Sequence, residues 1–510
     1  MNSINKSAAV LLYLSVCLMA VGCAQSASTA DNVTGTELAG SADITCDCYS
    51  QSILYNVPIT FNGDVPGDLN QFMDQSQANC FAWQTFISLN WPVESNQTFG
   101  QPGDESFVQW ETYMPSDVLF NQEGTAPPPW GTTTTAEDDQ NLKSSGLQMV
   151  RPQVKLLSHT SKFTDQGAED EDATIMKMVP GQAAPFDKPN WLGAQNSTNL
   201  WYQILVNKDY YDFINSTGYY NARVQHDSVR KGVAINFPQG QYQGAVGAIE
   251  LKAAWMEVTD PENEKWNRYK LSQAVVQDAT TGKIKHVTVA LAGLHVLHKT
   301  KNQPTWVWAT FEHVDNAPDS ANVDNEPVPP YGYNLYSAEC QPRKVDLRDS
   351  VVTVSCTPNT PPPYYLSQAA PVPVQITRKN PIDPADAEPI NKMMRDSIAK
   401  KFPGSVWQYY ELVDVIWSQA FQPDPTTPVK IPRKLNESSM LSGAVIVANT
   451  TMESYVQGTN TCTSCHKFGS IAPFAPDSVN NNVFGDFSFI IGDAKYSQKD
   501  IDAIKDWSEE

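Results

Sequence analysis

The strongest limit on the fold comes from five runs between residues 199 and 314 that have the composition of β-strands. The runs are NLWYQILV, GAIELKAAWMEV, YKLSQAVVQD, KHVTVALAGLHVLHKT and TWVWATFEHV, and each is rich in residues such as Val, Tyr, Trp and Thr. Turn sequences such as DATTGK and KNQP bound them. Strands at such short intervals favour an antiparallel sandwich or barrel over a chain in which strands and helices alternate.

Two segments on either side of this region have helical periodicity. DLNQFMDQSQANCFAWQTFISLNW repeats Cys80, Trp83 and Ile87 at helical spacing, and PADAEPINKMMRDSIAKKF is the second such segment. Proline-rich links such as TAPPPWG and TPPPYYLSQAAPVPV predict loops or boundaries. We therefore predict an α+β fold, in which residues 51–400 form a β-rich, antiparallel, sandwich-like body with flanking helices.

The first 22 residues have the pattern of a signal peptide. MNSINK precedes the apolar run AAVLLYLSVCLMAVG, which has the length of a signal sequence and is shorter than a membrane span. AVGC resembles a bacterial lipobox, so Cys23 is expected to carry a lipid and residues 23–50 to form a tether. Ordinary signal-peptidase cleavage nearby is the alternative. We expect a periplasmic or outer-membrane lipoprotein whose lipid is its only contact with a membrane.

The net charge excludes one class of partner. Asp and Glu number 56 against 35 Lys and Arg, which gives a formal charge of -21. Such a chain repels phosphate backbones, so we expect no nucleic acid partner. A protein partner is expected to present a basic surface.

The cysteines indicate disulfide bonds, because an exported chain matures in an oxidising compartment. Cys340 and Cys356 are predicted to pair across a short loop. Cys46 and Cys48 compete for Cys80, since a direct bond between Cys46 and Cys48 would be strained.

The segment GTNTCTSCHKFGS, residues 458–470, contains the pattern CxxCH at Cys462, Cys465 and His466. At this spacing two thiols can add to the two vinyl groups of a haem while the adjacent histidine ligates its iron. A thioredoxin-like CxxC would need a surrounding βαβ pattern, and a zinc site would need a second CxxC or an HxxxH. We therefore predict one covalent haem c, with His466 as an axial ligand of the iron.

The second axial ligand is not evident, because no methionine or histidine lies between Lys467 and Glu510. The ligand must come from earlier in the chain or be absent. Met452, ten residues before Cys462, is a possible distal ligand, with packing in the core as the alternative. Other candidates are Met440, His298, His313 and the pair Met393 and Met394, of which the pair lies on a helical stripe that indicates core packing.

The last residues predict a short amphipathic helix. Ser497 and Asp500 have the spacing of a capping box, and Ile501 and Trp507 follow on one face. Together with the CxxCH motif, this helix predicts a small, mostly helical, cytochrome c-like haem segment over residues 401–510.

A second set of possible metal ligands lies on two neighbouring predicted strands. The set comprises His295, His298, Glu312 and His313. His295 and His298 point to opposite faces of a strand, as do Glu312 and His313, so the four cannot converge on one ion without a bulge. We expect these histidines to be hydrogen-bonded core residues.

Glu250 and Lys252 in GAIELKAAW lie two residues apart and share one face of a predicted strand. The two side chains could recognise a ligand together. We expect a cross-strand salt bridge instead.

Several stretches resemble a family of large exported bacterial proteins described as cytochrome c family proteins. They are NCFAWQTFISLNWP, GAIELKAAWM, GLHVLHKT with WVWATFEHVDNAP, VWQYYELV, and ANTTMESYVQ followed by CTSCH, and the similarity covers most of residues 80–495. The resemblance implies a single c-type haem at the C-terminal end, with Cys462, Cys465 and His466 in the thioether and axial roles. It also favours Met452 as the distal ligand, and it implies no particular reaction.

The predicted function is electron transfer to or from redox partner proteins through the covalent haem. A haem oxidoreductase, oxidase-like or peroxidase-like, is the alternative if the sixth iron position is open. A ligand-binding or assembly lipoprotein with an accessory haem is the third.

Overall fold

The computed structural model describes residues 44–45, 58–70, 74–134, 154–157, 189, 191–278, 281, 283–417, 446–458, 462–466, 469–473 and 483–508. These ranges belong to one compact unit that begins at Asp43. The predicted signal peptide and lipid-bearing Cys23 lie outside the described residues, as does nearly all of the predicted tether.

An eight-stranded sheet organises these residues. The described strands are β1 (Ile44–Thr45), β2 (Pro58–Ile59), β3 (Met114–Pro115), β4 (Lys155–Leu157), β5 (Leu200–Val206), β6 (Ile249–Glu257), β7 (Leu271–Gln277), β8 (Ile284–His298), β9 (Val307–His313), β10 (Arg343–Asp346), β11 (Val351–Val354) and β12 (Tyr410–Ile416). The main sheet has the order β12-β9-β8-β6-β5-β3, with β7 beside β8 and β4 beside β7. Two small sheets pair β1 with β2 and β10 with β11.

The five predicted runs are confirmed as the strands β5 to β9. Their pairings are antiparallel, as predicted, whereas β4 runs parallel to β7. The prediction of a sandwich-like body was wrong. The long described strands share one sheet instead of forming two sheets that face each other. Because β6 and β9 are buried along their whole length, both faces of this sheet are covered.

Helices account for the other part of the α+β fold. The described helices are α1 (Gln75–Leu89), α2 (Ser116–Leu119), α3 (Lys208–Thr217), α4 (Ala222–Arg230), α5 (Ala387–Lys401), α6 (Cys462–His466) and α7 (Gln498–Ser508). The two predicted flanking helices are confirmed as α1 and α5. Helix α1 begins after Asp74, whose side chain accepts a hydrogen bond from the Gln77 N–H and so caps the helix.

The first face of the sheet, which carries Leu251 and Phe311, packs against α1 and α5. The Phe86 ring of α1 stacks on Phe311 with the centroids 4.2 Å apart. Trp83 of α1 donates its indole N–H to Asn391 of α5 at 3.0 Å, which joins the two helices. Burying each aromatic side chain of this size contributes about 2 to 3 kcal/mol, so this layer is a main source of stability.

The second face, which carries Leu297 and Trp308, packs against α3, α4 and residues 483–496. Alternation along β6 places Glu250 and Lys252 on this face, because Leu251 and Ala253 belong to the first. Cys462 packs against the same apolar cluster. The second face is therefore the side of the sheet on which the CxxCH motif lies.

The disulfide between Cys340 and Cys356 is confirmed. Cys80 is also disulfide-bonded, but Cys46 and Cys48, its predicted partners, lie outside the described residues. Neither α1 nor any other helix in the described ranges combines the length and apolar character that crossing a membrane requires.

Helix α7 confirms the predicted C-terminal helix and its cap. The Asp500 carboxylate accepts from the Ser497 N–H at 3.1 Å, and the Asp500 N–H donates to Ser497 Oγ at 3.3 Å. Asp500 also accepts a hydrogen bond at 2.9 Å from Asn221, the residue that caps α4. The end of the chain is thereby attached to the helices that cover the second face.

Candidate functional site

The CxxCH motif forms the short helix α6, Cys462–His466. Residues three apart on a helix lie on the same side, so one turn brings Cys462 and Cys465 together. Both are thiols; the first is half-buried and the second is buried. His466 follows directly and is half-buried. The helix therefore presents two sulfur atoms and an imidazole over a single turn.

A hydrogen bond sets the tautomer of His466. Its Nδ1 atom lies 2.8 Å from the carbonyl oxygen of Phe487. A carbonyl can only accept, so Nδ1 carries the hydrogen and the lone pair of the neutral ring is on Nε2. Histidines that ligate metals commonly donate from their other ring nitrogen in this way, which orients the ring and makes it a better ligand.

Aromatic side chains surround the imidazole of His466. The ring of Trp308 meets it edge to face with the centroids 4.7 Å apart, and that of Phe489 does so at 4.9 Å. Trp308 is held in turn, because its indole N–H donates to the carbonyl of Thr305 at 2.8 Å. These contacts keep the imidazole in a largely apolar environment against the second face of the sheet.

The backbone that supplies the acceptor for His466 has an unusual conformation. Asp486 and Phe487 have φ angles of +57° and +68°, in the left-handed region that costs a non-glycine residue about 1–2 kcal/mol. The Asp486 carboxylate pairs with the buried Lys299 and accepts from the Phe237 N–H at 2.8 Å. The Asp486 carbonyl accepts from the indole of Trp306 at 3.0 Å. Interactions with distant parts of the chain thus hold the strained turn that directs Phe487 toward His466.

A buried hydrogen-bond chain begins at the next residue. Ser488 donates to the Glu250 carboxylate at 2.8 Å, and the hydroxyl of Tyr210 lies 2.8 Å from Ser488 Oγ. Because the single hydroxyl hydrogen of Ser488 points to Glu250, Tyr210 is the donor in the second bond. Burial, assisted by nearby Asp493, raises the pKa of Glu250 to about 7, although Ser488 and Lys252 act in the opposite direction.

Glu250 and Lys252 do not pair with each other, and the predicted cross-strand salt bridge is not found for Glu250 among the described residues. Among the described residues Glu250 bonds to Ser488, and the Lys252 ammonium lies 5.2 Å from the centre of the Tyr202 ring. Side chains two residues apart on a strand are well separated, which lets each contact a different part of the layer that covers the sheet.

Met452 is 1% exposed and belongs to a third apolar cluster, which includes Trp191, Met256 and Ala292. By the alternation along β6, Met256 also lies on the second face, whereas Cys462 packs against the separate cluster of that face that includes Leu297 and Trp308. The structure thus assigns Met452 to a different part of the core from the CxxCH helix.

The other sequence candidates for the distal ligand have separate positions. Met440 lies outside the described residues. Met394 is buried in the core of the first face, against which Met393 also packs. The two histidine candidates belong to the strand cluster described next.

The four possible metal ligands on β8 and β9 are engaged in other contacts. His298 donates to the carbonyl of Val246 at 2.7 Å, and His313 to that of Arg268 at 3.1 Å. Burial lowers the pKa of His298 to about 4 and that of His313 well below its ordinary value, so both are neutral. The prediction that these two are hydrogen-bonded core residues is confirmed.

The remaining two members of that set bind other side chains. His295 lies 3.1 Å from the carboxylate of Glu453, and Glu312 forms an ion pair with Arg378. Within the described part of the chain, no three His, Cys, Asp or Glu side chains are grouped as a metal site would require.

Sequence reasoning did not identify Trp308 and Phe487 as contacts of His466, nor the hydrogen bond between Ser488 and Glu250 beside them. Trp308 was interpreted only as part of a strand, and Glu250 only as half of a salt bridge. The aromatic residues of VFGDFSFIIGD were a signal that an apolar layer follows the motif. Which of them contacts His466 depends on the turn at Asp486 and Phe487, whose left-handed backbone has no glycine to mark it.

No protein-family model matches the chain, and no curated protein or solved structure matches it either.

Proposed function

We propose that the protein is an exported, mono-haem c-type cytochrome that transfers electrons. The observation that carries the proposal is the hydrogen bond between His466 Nδ1 and the Phe487 carbonyl. In a chain that has CxxCH on one helical turn, this bond fixes the tautomer in which Nε2 carries the lone pair, and it orients the ring that would ligate a metal ion through that atom.

The donor set fits haem c. Cys462 and Cys465 would hold the porphyrin by thioether bonds, and His466 would ligate the iron through Nε2. Bound haem would supply an iron that accepts and gives up single electrons. Trp308 and Phe489 would exclude water from the imidazole, and low polarity around a haem is one determinant of its reduction potential.

The proposal includes a small, mostly helical haem segment within residues 401–510, which contains α6 and α7. As further parts of the proposal, the chain resembles exported bacterial cytochrome c family proteins and begins with a signal peptide. Cys23 carries a lipid, and the protein lies outside the cytoplasm. The net charge of -21 supports redox partners with basic docking surfaces, because opposite charges increase the rate of encounter.

A haem oxidoreductase is the second candidate function. The observation that favours it is the position of Met452 in the third cluster, apart from the cluster that contains Cys462. If no other side chain occupies the sixth iron position, that position can bind a small ligand or substrate.

Spectra of the mature holoprotein distinguish the two functions. A low-spin ferric form with the weak sulfur-to-iron charge-transfer band would identify methionine as a ligand and rule out an open site. A high-spin spectrum that shifts with carbon monoxide would rule out a simple electron carrier. Met452→Leu is the matched variant, and an unchanged spin state in it removes Met452 from the possible ligands.

The proposal itself is tested by expressing the full chain in a host that attaches haem c. We expect the mature polypeptide to gain the mass of one haem and to show a Soret band. The double variant Cys462→Ser/Cys465→Ser should lose the covalent haem, whereas Cys340→Ser/Cys356→Ser, which removes a remote disulfide, should retain it. A wild-type chain with the mass of bare polypeptide and no Soret band would refute the assignment.

A further inference from the structure

Glu250 is joined to the surroundings of His466 by one residue. Its carboxylate accepts from Ser488, which lies between Phe487 and Phe489. The carbonyl of Phe487 accepts from His466 Nδ1, and the ring of Phe489 packs against the same imidazole. Glu250 and His466 are thus connected through two adjacent residues of one segment, Ser488 and Phe487.

We propose that Glu250 is the proton acceptor in a proton-coupled electron transfer at the His466 site, an inference that rests on the function proposed above. Its carboxylate takes up one proton from water as one electron arrives from a reduced partner protein. It returns that proton to water as the electron leaves to an oxidised partner. One electron and one proton are gained together and lost together, so the net charge of the site stays constant.

Burial makes this coupling strong. Glu250 is 6% exposed and lies on the second face of the sheet, where water cannot screen its charge. Burial also raises its pKa to about 7, so the carboxylate and the carboxylic acid are both populated near neutral pH. An added electron makes the site more negative and raises this pKa further, whereas its removal lowers the pKa.

Several charged or titratable groups face Glu250, and some of them shift its pKa. Lys252 lies on the same strand and lowers its pKa, whereas Asp493, in the turn after Phe489, raises it. Tyr210 of α3 stays neutral, because burial raises its pKa well above the ordinary value. Asp486 and Lys299, which also lie nearby, form an ion pair with each other. Burial raises the pKa of Asp493 itself to about 6, but it is Glu250 that accepts the hydrogen bond from Ser488, in the segment that holds His466.

The test is a spectroelectrochemical titration of the full-length holoprotein over a range of pH. We expect the wild-type reduction potential to fall as pH rises through the neutral region, with a slope approaching 59 mV per pH unit, which is a tenfold change for one electron. In Glu250→Gln the slope should vanish. The potential should then stay near the low-pH value of the wild type, because the neutral amide resembles the protonated carboxyl group.

Asp493→Asn is the matched control, because it removes a neighbouring carboxylate and leaves Glu250 in place. Since Asp493 raises the pKa of Glu250, the reduction potential of this variant should still fall with rising pH. The pH range over which it falls should be lower than in the wild type. The reduced-minus-oxidised infrared spectrum gives a second readout. A carbonyl band of a protonated carboxyl group should appear in the wild type and in Asp493→Asn, and be missing from Glu250→Gln.

The outcomes separate this inference from the proposed function. A wild type with a Soret band but a potential independent of pH overturns the role of Glu250 and leaves the cytochrome intact. A slope that survives in Glu250→Gln also overturns it and assigns the proton to another group. If the wild type has no covalent haem, the proposed function and this inference both fail.

Discussion

His466 and Phe487 are joined by a hydrogen bond of 2.8 Å between the imidazole Nδ1 and the backbone carbonyl. The acceptor comes from the backbone, so no side-chain substitution at Phe487 removes the atom itself. What can be changed is the conformation that directs the carbonyl. The left-handed turn at Asp486 and Phe487 is held by the pairing of Asp486 with Lys299 and by the indole of Trp306.

Asp486→Ala is expected to destabilise the protein strongly. The side chain of Lys299 is 1% exposed, and without Asp486 its charge is buried with its acidic partner removed. Removing one partner of such a pair typically costs about 3–5 kcal/mol. The measurement is urea unfolding followed by tryptophan fluorescence. The matched control is Asp212→Ala, which breaks the exposed pair with Lys208 and should cost at most about 1 kcal/mol. Equal effects of the two substitutions would contradict the buried position of the Asp486 pair.

Phe86→Ala is expected to cost about 3–5 kcal/mol, because it leaves a cavity in the first face of the core. The Phe86 ring is fully buried between Trp83, Phe311 and Trp407. Val328→Ala is the control, since Val328 is an apolar residue that is 67% exposed. Its unfolding free energy should stay within about 0.5 kcal/mol of the wild type. A Phe86 variant that is no less stable than the control would show that this helix does not pack on the sheet.

Cys340→Ser/Cys356→Ser is expected to lower the unfolding free energy by about 3 kcal/mol. The disulfide closes a loop of 16 residues that contains β10 and β11, and a crosslink of this span restricts the unfolded chain by an amount of that order. Ser355→Ala, beside the disulfide, should change the free energy by less than about 0.5 kcal/mol. If the double variant is as stable as Ser355→Ala, the bond does not constrain the unfolded state.

Asp414→Asn is expected to change how stability depends on pH. Burial raises the pKa of Asp414 to about 7, and Asp383 and Asp386 contribute in the same direction. The folded protein therefore holds this proton more tightly than the unfolded chain, so stability is lost as pH rises from about 4 to about 7. The unfolding free energy of the variant minus that of the wild type should increase by about 3 kcal/mol over that range.

Urea unfolding at about pH 4 and about pH 8 provides the measurement for Asp414. The amide that replaces the carboxylate keeps an oxygen that can accept from Gln75, as Asp414 does at 3.0 Å, so the hydrogen bond is not lost with the charge. Asp396→Asn is the control, since that carboxylate is exposed on α5. A difference for Asp414→Asn that stays constant with pH would show that its carboxyl group titrates alike in the folded and unfolded protein.

The elements that sequence reasoning predicted correctly are those that neighbouring residues specify. The runs that form β5 to β9 are rich in β-branched and aromatic residues between recognisable turns, and α1 and α5 have helical periodicity. The pair Cys340 and Cys356 lies within one short loop, which made it predictable. The α+β class follows from these local features together.

The features that sequence reasoning missed depend on contacts between distant residues. Glu250 and Ser488 are 238 residues apart, and nothing near Glu250 indicated that its partner would be a serine after the motif. The single main sheet was missed for the same reason. The strand runs do not show whether the layer that packs on a face is a second sheet or a set of helices and loops.

The strained turn at Asp486 and Phe487 makes the motif dependent on the rest of the chain. Phe237, Lys299 and Trp306, which hold that turn, come from about 180 to 250 residues earlier. A fragment that begins shortly before Cys462 would keep both thiols and the imidazole but would lack every one of these three supports. The motif therefore does not carry its own support: grafted onto another scaffold, it would bring His466 without the residues that orient the imidazole.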